Sequence, residues 1–156
     1  MDPASCLFCS LLADPDAAWV TREDGADAAA LLPLPESSLA PGHTLVIPAE
    51  HCVGVHDASP RALHSVSDLV QRIALAMFSG LGAHGVNVLN ASGPASGQSV
   101  PHLHMHVVPR WEGDGLDTWP PGLSLHEIAG DIRMRLSEAV SDLTCGDDEQ
   151  GAARRR

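Results

Sequence analysis

Apolar positions recur three or four residues apart at Leu63, Val66, Leu69, Val70, Ile73, Met77 and Leu81, the spacing of one face of an α-helix. Asp57 or Ser59 can cap this helix, Pro60 suits its first turn, and Gly80, Gly82 and Gly85 end it. A second stripe, Leu125, Ile128, Ile132, Leu136, Val140 and Leu143, predicts a C-terminal helix. Ser124 would open it, with Glu127 completing a capping box. Elsewhere the apolar runs are short. His43-Thr44-Leu45-Val46-Ile47-Pro48 and Val86 to Leu89 read as strands, and Trp19-Val20-Thr21 as a short one. Ala28 to Leu34 is a strand or, on its alanines, a helix, and Pro33 and Pro35 place it at an edge or in irregular chain. Ser10 to Ala13 reads as a helical turn stopped by Asp14-Pro15-Asp16. The strands neighbour one another instead of alternating with helices. That predicts an α+β fold, an antiparallel sheet of about five strands with a central helix and a C-terminal helix. Residues 1–145 are expected to form one domain and 146–156 a flexible tail.

One stretch does not fit a purely structural reading. In His102-Leu103-His104-Met105-His106-Val107-Val108 the histidines alternate with apolar residues, so an extended chain turns all three imidazoles to one face. Buried imidazoles need hydrogen bonds or a metal. Three readings follow: one metal held by all three, a nucleophile with neighbours that orient and protonate, or a structural cluster. Alternate strand residues stand roughly 6.5–7 Å apart, which makes three ligands on one straight strand hard to gather on an ion. The preceding small, polar loop, Asn90 to Gln98, favours the nucleophile, because its glycines let backbone N–H groups approach phosphate oxygens.

Composition narrows the partners. Of 156 residues, 44% are hydrophobic and 19% charged, as in a globular domain. The formal net charge is −11, with all nine cationic side chains arginine, which argues against nucleic acid as a partner. Arg154-Arg155-Arg156 reads as a solvated tail. Met1-Asp2-Pro3 lacks the basic start of a signal peptide, and no apolar run is long enough to span a membrane. Four cysteines (Cys6, Cys9, Cys52, Cys145) are too few for a disulfide scaffold, so a cytoplasmic location is expected. There, Cys6-x-x-Cys9 suits metal or redox chemistry.

The histidine stretch resembles the His-φ-His-φ-His-φ-φ signature of the histidine triad (HIT) family of nucleotide hydrolases and transferases. Pro41 to Pro48 with His51 resembles the family's central strand, and Gly97-Gln98-Ser99-Val100 its approach to the triad. Pro109-Arg110 resembles the exit seen in one bacterial branch, and Cys6 and Cys9 the N-terminal pair of zinc-containing members. The resemblance implies that His104 is a nucleophile forming a nucleotidyl-imidazole intermediate and that His106 contacts the phosphate. It places His43, Asn90, Gly97, Gln98, Ser99 and Glu36 around the substrate. Cys6, Cys9, His51 and His102 would form a closed Cys₂His₂ structural zinc site. The resemblance also implies a homodimer and a nucleotide or related phosphate ester as ligand. Cys52, Cys145, His56, His64, His84 and His126 have no assigned role.

Two positions depart from the family. Eight residues before His43, where an acid often binds ribose, stands Pro35, with Glu36 beside it. Seven residues before Gln98, where an amide is usual, stands Ala91, with Asn90 beside it. The phosphate chemistry is expected to be intact and the ribose contacts weakened or rebuilt. The expected activity is hydrolysis of nucleoside phosphoramidates or (di)nucleoside polyphosphates. The alternative is a nucleotide-binding regulatory protein with little turnover, or one with a non-standard phosphate substrate.

Overall fold

The structure, a computed structural model, describes residues 5–22, 25–119, 122 and 124–153, with side chains described as far as Leu143 in the last helix. Arg154-Arg155-Arg156 and the Cys145 side chain lie outside the described residues. The chain forms two compact units, Met1–Thr118 and Trp119–Arg156.

The first unit holds a five-stranded antiparallel sheet. In chain order its elements are α1 (Leu7–Ala13), β1 (Trp19–Thr21), β2 (Ala28–Leu31), β3 (Thr44–Pro48), α2 (Pro60–Leu81), β4 (Gly85–Leu89) and β5 (Met105–Arg110). The strand order is β1-β2-β3-β5-β4. This is the α+β sheet that the pattern predicts, and α1 extends the expected helical turn back to Leu7. The alanines of β2 make a strand, paired on both sides. Ladder partners and close packing override their helical propensity.

The α2 helix begins and ends as its sequence dictates. Ser59 Oγ accepts the Ala62 N–H at 3.1 Å, Pro60 opens the first turn, and Gly82 closes the helix at φ +62°. Its inner face, Val66, Leu69, Ile73 and Met77, packs on Ala28, Ala30, Val46 and Val107 of the sheet. Cys6 and Phe8, at α1, pack on Ala29, Leu45 and Ile47. The sheet is therefore covered on both faces, and β3 is buried throughout. Gly42 precedes β3 at φ +85°, a backbone that L side chains rarely adopt, which is why glycine makes this turn.

The histidine stretch differs from the expected strand. Only Met105–Arg110 joins the ladder, and His102 to His104 run ahead of it, held by the Leu103 N–H on the Cys52 carbonyl at 2.7 Å. Pro109 sits inside β5 because it faces Val86 of β4 beyond the reach of the β3 ladder, which ends at Thr44↔Val107. Alternation still divides the side chains. Val107 and Met105 turn to the α2 face, while His106 opposes Leu45 on the α1 face.

In the second unit the helix α3 runs Ile132–Ala153. The expected start at Ser124 is not found: residues 124–129 are non-helical, and Ser124 Oγ accepts the His126 N–H instead of capping a helix. Gly130, at φ +91°, interrupts the pattern, and Asp131 Oδ1 caps α3 by accepting the Met134 N–H at 3.0 Å.

Candidate active site and metal centre

Four ligand atoms meet where α1 touches the histidine stretch. The donor atoms of Cys6, Cys9, His51 and His102 all lie within 4.8 Å of one another. His102 Nδ1 stands 3.4 Å from Cys6 Sγ and 3.6 Å from Cys9 Sγ, and His51 Nδ1 stands 3.2 Å from Cys9 Sγ. A tetrahedral zinc with bonds of about 2.3 Å to sulfur and about 2.0–2.1 Å to nitrogen would separate such atoms by about 3.5 Å. The His102 Nε2–H donates to the Pro48 carbonyl at 3.1 Å, which fixes the tautomer that leaves Nδ1 free to ligate. Burial, and then Cys6 beside it, push the Cys9 thiol above its ordinary range, so two thiolates there require a cation. The donor set fits a structural zinc, and with four protein ligands it leaves no position for substrate.

The same kind of backbone contact sets the other imidazoles. His104 Nδ1–H donates to the His102 carbonyl at 2.8 Å, so Nε2 carries a lone pair. Asn90 Nδ2 donates to the His104 carbonyl at 2.9 Å and holds that peptide. The Leu39 N–H donates to His43 Nδ1 at 3.1 Å, so neutral His43 carries its proton on Nε2. That N–H in turn meets His106 Nδ1 at 3.0 Å, leaving the His106 proton on Nε2. One backbone N–H and one carbonyl thus produce a bare nitrogen on His104 and a donor on His106, with ring centroids 5.0 Å apart. Burial, then His104 and His43, lowers the His106 pKa to about 4, and burial also lowers that of His43.

A test follows from that displacement. His106 is expected to stay neutral to about pH 5, titrating near 4 in imidazole nitrogen NMR. Because the folded pKa lies below the unfolded value of about 6.5, the unfolded chain binds more protons between them. Stability from His106 is therefore full above pH 6.5 or so and is lost as the pH falls through 4. A His106 titration near 6.5 would contradict the burial argument.

The remaining expected site residues divide. Ser99, His104 and His106 line a cavity of about 410 Å³, together with Phe8, Leu11 and Trp19 among others. Gln98 faces the loop: its Nε2 donates to the Val53 carbonyl at 2.6 Å, and its Oε1 accepts the Gly93 N–H at 2.7 Å. Gly97 closes the adjoining 3-10 turn at φ +82°. Glu36 is exposed in a second 3-10 turn, Pro35–Ser37, and is not among the residues lining the cavity. Cys52 is buried, and desolvation first among the causes lifts its thiol to about 11, consistent with an inert thiol. Arg110 is occupied by Asp114, at 2.7 Å, and by Asn87, so it serves the fold and not the cavity. Sequence reasoning missed the apolar walls from α1 and Leu31 to Leu34, whose one signal is unexplained exposed leucine at 32 and 34.

The model of the HIT domain matches residues 25–113. The chain belongs to the HIT family. Protein Hit of Bacillus subtilis is 33% identical over 145 residues, covering 86% of this chain and 97% of that protein. Adenosine 5′-monophosphoramidase hnt1 of Schizosaccharomyces pombe is 32% identical over 106 residues, covering 68% of this chain and 74% of that one. Among solved structures, a zinc-bound histidine triad family protein from Mycobacterium smegmatis is similar at a TM-score of 0.66 and 34% identity, covering 78% of this HIT chain and 86% of that one.

Proposed function

We propose that this HIT protein hydrolyses nucleoside phosphoramidates or (di)nucleoside polyphosphates through a covalent intermediate on His104. One observation carries the reading: the His104 Nδ1–H is committed to the His102 carbonyl, so the free lone pair is on Nε2, in a residue lining the cavity. In the first step Nε2 attacks the α-phosphorus, and the bond from phosphorus to the leaving nitrogen or oxygen breaks with its electron pair. The leaving group takes up a proton. The carbonyl of His102 stabilises the positive charge that the imidazole gains. The His106 Nε2–H donates to a non-bridging phosphate oxygen as charge builds there, and the Ser99 hydroxyl supplies a further donor. Water then attacks phosphorus and releases a proton to solvent, and the electrons of the P–N bond return to His104 Nε2. The similarity to an adenosine 5′-monophosphoramidase supports this reaction class.

Intact-protein mass spectrometry after rapid mixing with a nucleoside phosphoramidate tests the reading. A nucleotidyl adduct mapping to His104 is the expected result. Tight binding with neither adduct nor turnover would favour a regulatory nucleotide-binding role instead.

Cys6, Cys9, His51 and His102 are proposed as the structural zinc ligands. We place the protein in the cytoplasm, because Cys6 and Cys9 must stay reduced to ligate a metal. Among the described residues no helix is long and apolar enough to cross a membrane. A homodimer is part of the same reading, supported by exposed Leu75, Phe78 and Leu81 on α2 and Val88 on the edge strand β4. Light scattering is expected to give twice the chain mass, and Phe78→Asp to halve it.

A further inference from the structure

Cys6 and Cys9 are placed for a reaction besides metal binding. The two residues between them, Leu7 and Phe8, are helical. Helical geometry sets the Cα atoms of such a pair about 5 Å apart, inside the roughly 4.4–6.8 Å that a disulfide spans. Their Sγ atoms belong to the cluster whose donors all lie within 4.8 Å of one another. A bond between them therefore needs the side chains to turn and leaves the α1 backbone in place. The two thiols differ in access. Cys6 is 1% exposed and Cys9 is half-buried, so a small oxidant in water reaches Cys9 first and Cys6 stands by to resolve it. Cys52 is buried and is not one of the four clustered ligands.

The same side chains connect α1 to the catalytic stretch. His102 turns Nδ1 to the two sulfurs, while its carbonyl accepts the His104 Nδ1–H. Leu7, Phe8 and Leu11 of α1 wall the cavity that His104 lines. A disulfide offers a cation no thiolate, and His51 and His102 alone fall short of the four ligands of a structural zinc. The fully buried His102 Nδ1 is then left without its partner, and α1 loses its tie to that residue.

We infer that Cys6 and Cys9 form an oxidative modification site, a dithiol that hydrogen peroxide converts to a disulfide, with release of the metal and loosening of α1 and His102 beside His104. The Cys9 thiolate attacks one peroxide oxygen, the O–O bond breaks, and hydroxide leaves. The Cys6 thiolate then attacks the Cys9 sulfenic sulfur, the S–O bond breaks, and a second hydroxide leaves. Peroxide gains two electrons and each sulfur gives up one. A dithiol reductant reverses the reaction. The effect on turnover rests on the proposed chemistry at His104; the reaction at sulfur does not.

Treating the zinc-loaded full chain with hydrogen peroxide beside a chromogenic zinc indicator tests this. Zinc is expected to be released, the denatured mass to fall by two hydrogens, and peptide mapping to join Cys6 to Cys9. The melting temperature should fall with the release. After catalase removes the peroxide, phosphoramidate turnover should be lower by about tenfold or more, as when an outer contact of a functional histidine is lost. Dithiothreitol with added zinc should restore all four. Cys9→His keeps a ligand and removes the dithiol, so it should bind zinc and release none to peroxide. Cys52→Ser should release zinc as the unaltered chain does. Zinc retained while Cys52 or Cys145 is oxidised would overturn the inference. So would a disulfide that maps elsewhere, or release with melting and turnover both unchanged. The two readings fail separately. A chain with no turnover before peroxide that still releases zinc through a Cys6–Cys9 disulfide, with a lower melting temperature, sinks the hydrolase reading alone. A chain that turns over and keeps its zinc sinks this one alone.

Discussion

Replacing His104 by alanine is expected to remove the covalent adduct and lower turnover by about a thousandfold or more, the scale seen when a nucleophile is deleted. The reason is geometric. His104 presents Nε2 because Nδ1–H is held 2.8 Å from the His102 carbonyl, and the neighbouring imidazole cannot substitute. His106 Nδ1 accepts the His43 Nε2–H and its own proton sits on Nε2, so it offers phosphorus a donor and not a lone pair. His106→Ala should therefore slow adduct formation by about a hundredfold, as for loss of one charge-stabilising donor, while the adduct still maps to His104. The fold should survive His104→Ala, since the loss is one hydrogen bond and the His102 carbonyl left without its donor, about 1–3 kcal/mol. At roughly 2–4 °C per kcal/mol, melting falls by about 2–12 °C and the protein remains folded at assay temperature. Phosphoramidate turnover retained by the alanine variant, with the adduct absent, would mean that water attacks phosphorus directly.

The parts of this molecule that could be read in advance are those whose signal is local. The α2 helix carries a cap, a proline and a left-handed glycine at its ends and a stripe between them, and all act within one turn of themselves. The four metal ligands were reachable because two lie at Cys-x-x-Cys spacing and the resemblance to zinc-bearing relatives supplied the others. What escaped depends on contacts between distant segments. The alanines of β2 leave strand and helix both open, and pairing with β1 and β3 decides for the strand. The start of α3 moved because Gly130 adopts a backbone that a sequence stripe passes over. In the site, the tautomer of His106 is set by the Leu39 N–H through His43, a backbone group with no sequence signature. Gln98 and Asn90 lie near the triad stretch as expected, yet their amides brace Val53, Gly93 and the His104 carbonyl.

Removing the metal should have the largest effect on stability. Cys9→Ala is expected to lose bound zinc, read by atomic emission, and to lower the melting temperature by about 10 °C or more, the equivalent of several kcal/mol of metal-linked folding energy. The site ties α1 to the histidine stretch through Phe8, which sits between the two cysteines. Its ring lies 5.7 Å from that of His102 and 5.4 Å from that of His104, edge-on to both. Freeing α1 withdraws Leu7, Phe8 and Leu11 from the cavity wall and unsettles His102, whose carbonyl aligns His104. KM should therefore rise first, with kcat falling as the His102 carbonyl shifts. A zinc held by His104 and His106 makes the opposite forecast: chelation would abolish kcat at once and leave the melting temperature nearly unchanged. Anomalous scattering separates the two directly. Signal confined to Cys6, Cys9, His51 and His102 upholds the structural role, and signal at His104 would replace covalent catalysis with a metal-activated water.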